Sequence, residues 1–410
     1  TLLAGGGQQF ESERTNGFLR DTMKRFSHHI IKLASACCLI AAAPACSTRE
    51  AGLADEPQRD EGRVRLGLTA EILGEARSGE AAGLPDNEKM HTLRIVILHP
   101  DGTVEHNQFI DFGHGMFSEY TQVMEVQKNE KKTIYLIANE TSISTDLHAA
   151  LGTYTAGKND FKNAVDDLVF TPDYTQPLPM SSKYEVEIRE EAQKECRFYL
   201  VHAAAKFTFR FINKREGAVA VNSVAVAEIA EKSYLLPRKI APTMKFQETE
   251  GGAVEELYWI EWLKKVSDEA QQNPDDKELA DKRGWIQDYD IPPTTHRTAV
   301  MEAPQEFRVA GLTYDMGVPK PGLATYPAFY LPESKDLKDS SNPYGEQEYT
   351  LTLHVTDANN AKKTFSRPFD NLKALFRNTH VAVDITFLEK GIQVDVTPYS
   401  EVVLEPEFGL

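Results

Sequence analysis

The sequence predicts an all-β protein built of β-sandwiches. Many short runs are rich in β-branched and aromatic residues. Gly, Pro, Asn and Asp turn signals break those runs at short intervals, and helical periodicity is confined to a few stretches. At 410 residues the chain is long enough for two or three domains.

The first run is the most regular. From Val64 to Ile72 apolar residues occupy every even position, and polar residues or Gly every odd one. Period-two alternation of this kind is a half-buried strand. A segment containing Gly74, Arg77, Ser78 and Gly79 follows and reads as flexible. Thr92–His99 predicts a strand, Pro100-Asp101-Gly102 a turn, and Thr103–Ile110 the returning strand. Tyr120–Val126 and Thr133–Ala138 form another pair, and Leu147–Asp167 is helical or irregular. Strands are then expected at Tyr184–Ile188, Cys196–Phe211, Ala218–Ile229, Phe307–Ala310, Tyr349–Val355, Val381–Phe387, Ile392–Val396 and Val402–Leu404.

Residues 252–292 depart from the β pattern. Val254–Asp268 has apolar residues at helical spacing, and Asn273-Pro274-Asp275 reads as the start of a second helix. All three tryptophans, Trp259, Trp262 and Trp285, lie here. They either pack a helical insertion onto the sandwich or form an aromatic contact surface for a glycan or partner.

The N-terminal region carries processing signals. Met23-Lys24-Arg25 opens a basic segment, Leu33–Ala43 is a small-apolar run, and Ala43-Pro44-Ala45-Cys46 precedes polar residues. This is a secretory signal. A Cys directly after the small residues makes it resemble a bacterial lipoprotein signal, with Cys46 lipidated as the new N-terminus. Ordinary signal-peptidase cleavage near Ala45 is the other reading. Residues 1–22 read as an over-extended start, and 47–62 as a tether. The apolar run is too short to cross a bilayer as a helix. Of the four cysteines, Cys37 and Cys38 fall in the signal and Cys46 would carry lipid. Cys196 is left as a buried strand residue, and stability must come from burial and not from disulfides.

Lys and Arg total 45 against 62 Asp and Glu, a net charge of −17 that repels phosphate backbones and argues against nucleic-acid binding. No G-x-S-x-G, H-E-x-x-H, P-loop or C-x-x-C pattern occurs, so no enzymatic activity, cofactor or metal is expected. Gly113-His114-Gly115 reads as a turn with an exposed His. Asp166-Asp167 and Asp336–Asp339 read as solvated acids. His91, His99, His106, His202, His354 and His380 are scattered, with no partner at ligand spacing. Asn139-Glu140-Thr141 matches a glycosylation sequon, of little meaning behind a bacterial-type signal.

The order of several pieces is similar to the fimbrillin superfamily of Bacteroidales, the type V pilins. They are VRLGLTAEILGEARS (64–78), LRIVILHPDGTV (93–104), TIYLIANE (133–140), LPMSSKYEVEI (178–188), HAAAKFTFRF (202–211), YLPESK (330–335) and FRNTHVAVDITF with IQVDVTPYSEV (376–387 and 392–402). Tyr399 stands where the family often has Trp, and 252–292 has no counterpart.

The resemblance implies two tandem transthyretin-like β-sandwich domains, spanning 78–194 and 195–410, with the helical insertion 252–292 in the second. It further implies a signal at 23–45 and a propeptide at 46–77 holding a removable first strand (Val64, Leu66, Leu68, Ile72). Arg-specific proteolysis would fall between Arg77 and Ser78. A donor strand at 400–410 (Val402, Leu404, Phe408, Leu410) would fill the vacated groove of the next subunit. Partners would be other fimbrial subunits, the outer membrane through the lipid before maturation, and a host or bacterial surface receptor. The location would be the cell outer membrane and the fimbrium. The expected function is a structural fimbrial subunit. An anchor or tip subunit, or a glycan-binding surface lipoprotein, are the alternatives.

The tail supports the swap on its own. Val402, Leu404, Phe408 and Leu410 share one parity, with Glu401, Glu405 and Glu407 on the other. That is an amphipathic strand of about the first strand's length, interrupted by Pro406.

Overall fold

The computed structural model describes residues 62–72, 84–190, 193–238, 247–248, 290–304, 307–337, 339–343 and 345–397. The chain is mostly β and forms several sheets. The first half holds β1 (Arg63–Ile72), β2 (Thr92–Leu98), β3 (Val104–Asp111), β4 (Glu119–Gln127) and β5 (Glu130–Ala138). Helices α1 (Thr145–Gly152) and α2 (Phe161–Val165) follow, then β6 (Val169–Phe170), β7 (Met180–Ile188) and β8 (Gln193–His202). One sheet runs β3–β2–β5–β7 and the other β8–β1–β4, joined where Met180 and Ser181 pair with His202 and Val201.

The two sheets face each other across one core. It takes alternate residues of six strands: Leu66 and Leu68 from β1, Ile95 and Ile97 from β2, Met124 and Val126 from β4, Leu136 from β5, Val186 from β7, and Phe198 from β8. β2 is buried on both faces and apolar except for Thr92 and Arg94, whose guanidinium pairs with the buried Glu140 carboxylate at 2.7 Å. Its other face, with Val96, packs with Tyr135, Leu151, Phe161 and Val165 beneath the helices. Ser144 starts α1 by accepting hydrogen bonds from the amides of Asp146 (3.1 Å) and Leu147 (3.3 Å).

The second half holds β9 (Ala205–Asn213), β10 (Val219–Ala230), β11 (Ser233–Tyr234), β12 (Gln247–Glu248), β13 (His296–Glu302), β14 (Arg308–Val309) and β15 (Thr313–Asp315). It continues with β16 (Val318–Lys320), β17 (Gly322–Thr325), β18 (Phe329–Leu331), β19 (Thr350–Thr356), β20 (Lys362–Pro368), β21 (Thr379–Leu388) and β22 (Gly391–Thr397). Sheet β13–β10–β19–β20 packs on sheet β17–β9–β21–β22. Phe207, Phe209, Phe211, Val224, Leu351, Leu353 and Phe387 lie in the core they share. The β15–β16 hairpin turns on Met316 (φ 47°) and Gly317 (φ 83°), both left-handed, as a two-residue hairpin loop requires.

Several expectations are corrected. The run Cys196–Phe211 is two strands. The chain bends at Ala203-Ala204, where small side chains let it pass from one sandwich to the other. β8 pairs with β1 and fills the first core, so positions 194 and 195, between which the sequence reading sets a boundary, lie inside one strand. β13, β20 and the short strands between 313 and 331 escape the sequence reading, because exposed or three-residue pieces leave little alternation. Asp166 is not a solvated acid. It accepts from the Tyr135 hydroxyl (2.8 Å) and the Lys183 ammonium (2.7 Å), and Asp167 pairs with Arg238 at 2.7 Å. The helical insertion 252–292 lies, but for its last three residues, outside the described residues.

A polar seam joins the two halves. Glu88 takes the Lys206 ammonium at 2.9 Å and the Tyr330 hydroxyl at 2.5 Å, and its carbonyl meets His202 Nε2 at 2.9 Å. The Asn378 side chain accepts from the His202 amide at 3.1 Å. Burial pushes the Glu88 carboxyl up, but His202, Lys206 and Tyr330 outweigh it and leave it below its usual range. Burial, helped by Lys206, pushes the neighbouring His380 imidazole down to about 4.

Candidate functional site

β1 occupies a slot between two other strands. It pairs antiparallel with β4 from Arg63↔Gln127 to Glu71↔Glu119, and parallel with β8 from Arg65↔Gln193 to Ile72↔Leu200. Both backbone edges are therefore consumed. At its ends the Gly62 carbonyl accepts from Lys128 N (3.0 Å) and Ile72 N donates to the Ser118 carbonyl (2.9 Å).

The even-numbered side chains enter the core. Leu66, Leu68 and Ala70 are fully buried, and Val64 and Ile72 are at most 3% exposed. The four expected from alternation are all brought together, with Ala70 as a fifth that the same alternation contains. Burying Val64, Leu66, Leu68 and Ile72 is worth about 1.5–3 kcal/mol each. The sum, roughly 6–12 kcal/mol, rivals a domain's net stability of about 5–15. The outward face is polar. Glu71 pairs with Arg197, which also reaches Glu119 at 3.0 Å, and the Glu71 carboxylate raises the Arg197 pKa. Gly67 pairs with Glu195, whose carboxyl lies where a Cβ would stand, 1.8 Å from its Oε2. A side chain there would have to displace it.

Cys196 is the residue of β8 in register with Leu68, and it is 2% exposed in the same core. Its place as a buried strand residue follows the sequence reading. Its position in the wall of the β1 slot is visible only in the register.

At the entry end of β1, a charged cluster is assembled from four different strand ends and turns. His99 Nδ1 lies 2.6 Å from Glu130 Oε1. The Lys132 ammonium, fully buried, pairs with Glu105 and Glu130 and lies 3.3 Å from His99 Nδ1. Arg63 of β1 approaches Glu105 at 4.0 Å. Burial raises the Glu130 carboxyl, but hydrogen bonds from Lys132 and His99 prevail and hold it below its usual range. His99, Glu105 and Glu130 have metal-ligand chemistry, yet the Lys132 ammonium already lies among them, paired with both carboxylates.

Asn139 of the sequon is 1% exposed and left-handed (φ 57°). Its amide accepts from His91 N (2.8 Å) and donates to the carbonyls of Lys89 (3.0 Å) and Leu178 (2.8 Å). It is a structural clamp with no room for a glycan. Gly113 (φ 61°) and exposed His114 form the expected turn. The expected lipidation site Cys46, the cleavage site Arg77 and Ser78, the donor residues Val402, Leu404, Phe408 and Leu410, and Trp259, Trp262 and Trp285 lie outside the described residues.

No family model matches the chain, and no curated protein matches it. Among solved structures it is similar to the tip fimbrial protein Mfa3 from Porphyromonas gingivalis with C-terminal truncation, at 10% identity and TM-score 0.45, covering 82% of this chain and 99% of that one. It is also similar to a fimbrial assembly protein from Parabacteroides distasonis, at 10% identity and TM-score 0.41, covering 82% of this chain and 98% of that one. Both neighbours are fimbrial proteins by name.

Proposed function

We propose that the protein is a structural subunit of a cell-surface fimbria that polymerises by strand exchange and supports adhesion, without catalysis. The observation that carries this reading is the seating of β1: an amphipathic strand close to the N-terminus, enclosed by β4 and β8, with five side chains in the core. The chain would reach the outer membrane through lipid on Cys46. An Arg-specific protease would cut between Arg77 and Ser78, and β1 would leave. The vacated slot would offer two strand edges and an apolar trough. The 400–410 segment of a second copy, with Val402, Leu404, Phe408 and Leu410 on one face, is chemically suited to both. Main-chain pairing supplies affinity, and the alternate side chains set register.

The test is assembly. The purified precursor, treated with a trypsin-like protease and run unboiled on a denaturing gel, is expected to give a ladder. The ladder should vanish in Arg77→Ala and in a chain lacking 400–410. Absence of a ladder from the wild type would overturn the reading.

A further inference from the structure

β4 has β1 as its ladder partner, and among the described residues it stands at the end of its sheet. When β1 leaves, β4 loses that whole ladder. It would then be free to close onto β8 and pair the two edges that a new strand needs. Its other edge, however, faces β3 across three side-chain bridges. Gln127 N donates to Glu105 Oε1 at 2.7 Å, His106 Nε2 meets the Glu125 carbonyl at 2.7 Å, and Gln122 Nε2 donates to Gln108 Oε1 at 2.7 Å. The pairs 105/127, 106/125 and 108/122 run in opposite directions along the two strands, so the bridges follow an antiparallel line over Gln122–Gln127 of β4. β3 is itself fixed by its ladder to β2, and Glu105 is pinned by the buried Lys132 ammonium.

We infer that this β3–β4 seam holds β4 in place after β1 departs and so keeps the slot one strand wide, ready for an extended apolar-polar segment of a second copy. The inference rests on the proposed strand exchange. It assigns Glu105, His106 and Gln108 as positioning residues that act through β4, Glu105 also lying 4.0 Å from Arg63 of β1. In the intact chain their loss should matter little, because the β1 ladder carries β4. In the chain without β1 they are what separates an open slot from a collapsed one. Among the described residues, a slot about two strand spacings across, roughly 9–10 Å between β4 and β8, has no other ladder to maintain it.

The experiment compares wild type, a His106→Ala, Gln108→Ala double variant, and His106→Gln, each full-length. Each is examined intact and after cleavage at Arg77 with release of the first strand. Hydrogen exchange of the 119–127 amides is read by mass spectrometry, and capture of a peptide of sequence 400–410 is read by fluorescence. Intact proteins should exchange alike. After strand release, the double variant should exchange at 119–127 about tenfold faster than wild type and bind the peptide about tenfold more weakly, the effect of roughly two lost hydrogen bonds. His106→Gln, which keeps a donor toward the Glu125 carbonyl, should stay near wild type. Equal exchange of cut wild type and cut double variant would overturn the seam's role, as would full exchange of β4 in cut wild type. Failure of cut wild type to capture the peptide while 119–127 stays protected would count against the strand-exchange reading and leave the seam standing.

Discussion

Replacing Arg377 with methionine is expected to cost about 3–5 kcal/mol of stability, the usual cost of leaving one partner of a buried pair behind. Arg377 is 1% exposed, and its guanidinium is fully engaged. Nε donates to Glu333 Oε2 at 2.9 Å, Nη1 to the Leu235 carbonyl at 2.9 Å, and Nη2 to the Tyr234 carbonyl at 2.7 Å and to Glu333 Oε1. One side chain thus ties the segment after β11 to the one after β18 and to the entry of β21. Without it, the buried Glu333 carboxylate loses its cation while keeping the Ser233 hydroxyl at 3.2 Å, and the Tyr234 and Leu235 carbonyls each lose a donor, Leu235 retaining the Ser181 hydroxyl at 2.6 Å. The Glu333→Leu, Arg377→Met double variant should recover much of the loss, since an apolar pair of similar volume carries no stranded charge. Urea unfolding of the three chains measures this. A single variant within about 1 kcal/mol of wild type would contradict it.

Leu68→Ala is the second large effect. Leu68 sits mid-strand, opposite Gln122 on one side and Cys196 on the other, and is fully buried in the first core. Truncation leaves a cavity in a well-packed layer and should cost about 2–5 kcal/mol. Thr69→Ala, one residue on, removes an exposed hydroxyl contact to Thr121 at 2.9 Å and should cost within about 0.5 kcal/mol. The contrast between neighbours is what a slot-filling strand predicts. Two equal, small effects would mean that β1 is a peripheral ribbon.

The alternation of Val64–Ile72 was enough to place that strand and its buried face, because a strand with one wet side repeats every two residues. Which strands flank it was not legible. Pairing is decided by chain crossings between sheets, and β1 meets β4 and β8, some 50 and 130 residues downstream. The bend at Ala203-Ala204 was hidden for a related reason: β8 buries even-numbered residues and β9 odd-numbered ones, and Val201 with Ala203, Ala204 and Ala205 blurs the change of parity. The His99, Glu105, Glu130 and Lys132 cluster has no sequence signature, since its members come from the end of β2, the start of β3 and the start of β5. Asn139 illustrates the reverse case, a motif match that structure explains as a buried clamp.

The proposed removal of β1 is tested most directly through Cys196, the one cysteine after residue 46, in the wall of the slot and 2% exposed. Alkylation of its thiol in native buffer should be negligible in the intact chain and orders of magnitude faster once the segment before Ser78 has been cut away and released. It should slow again when a peptide of sequence 400–410 is added. A thiol that stays protected after the first strand has gone would mean that the interior closes without it, and strand exchange would have no site.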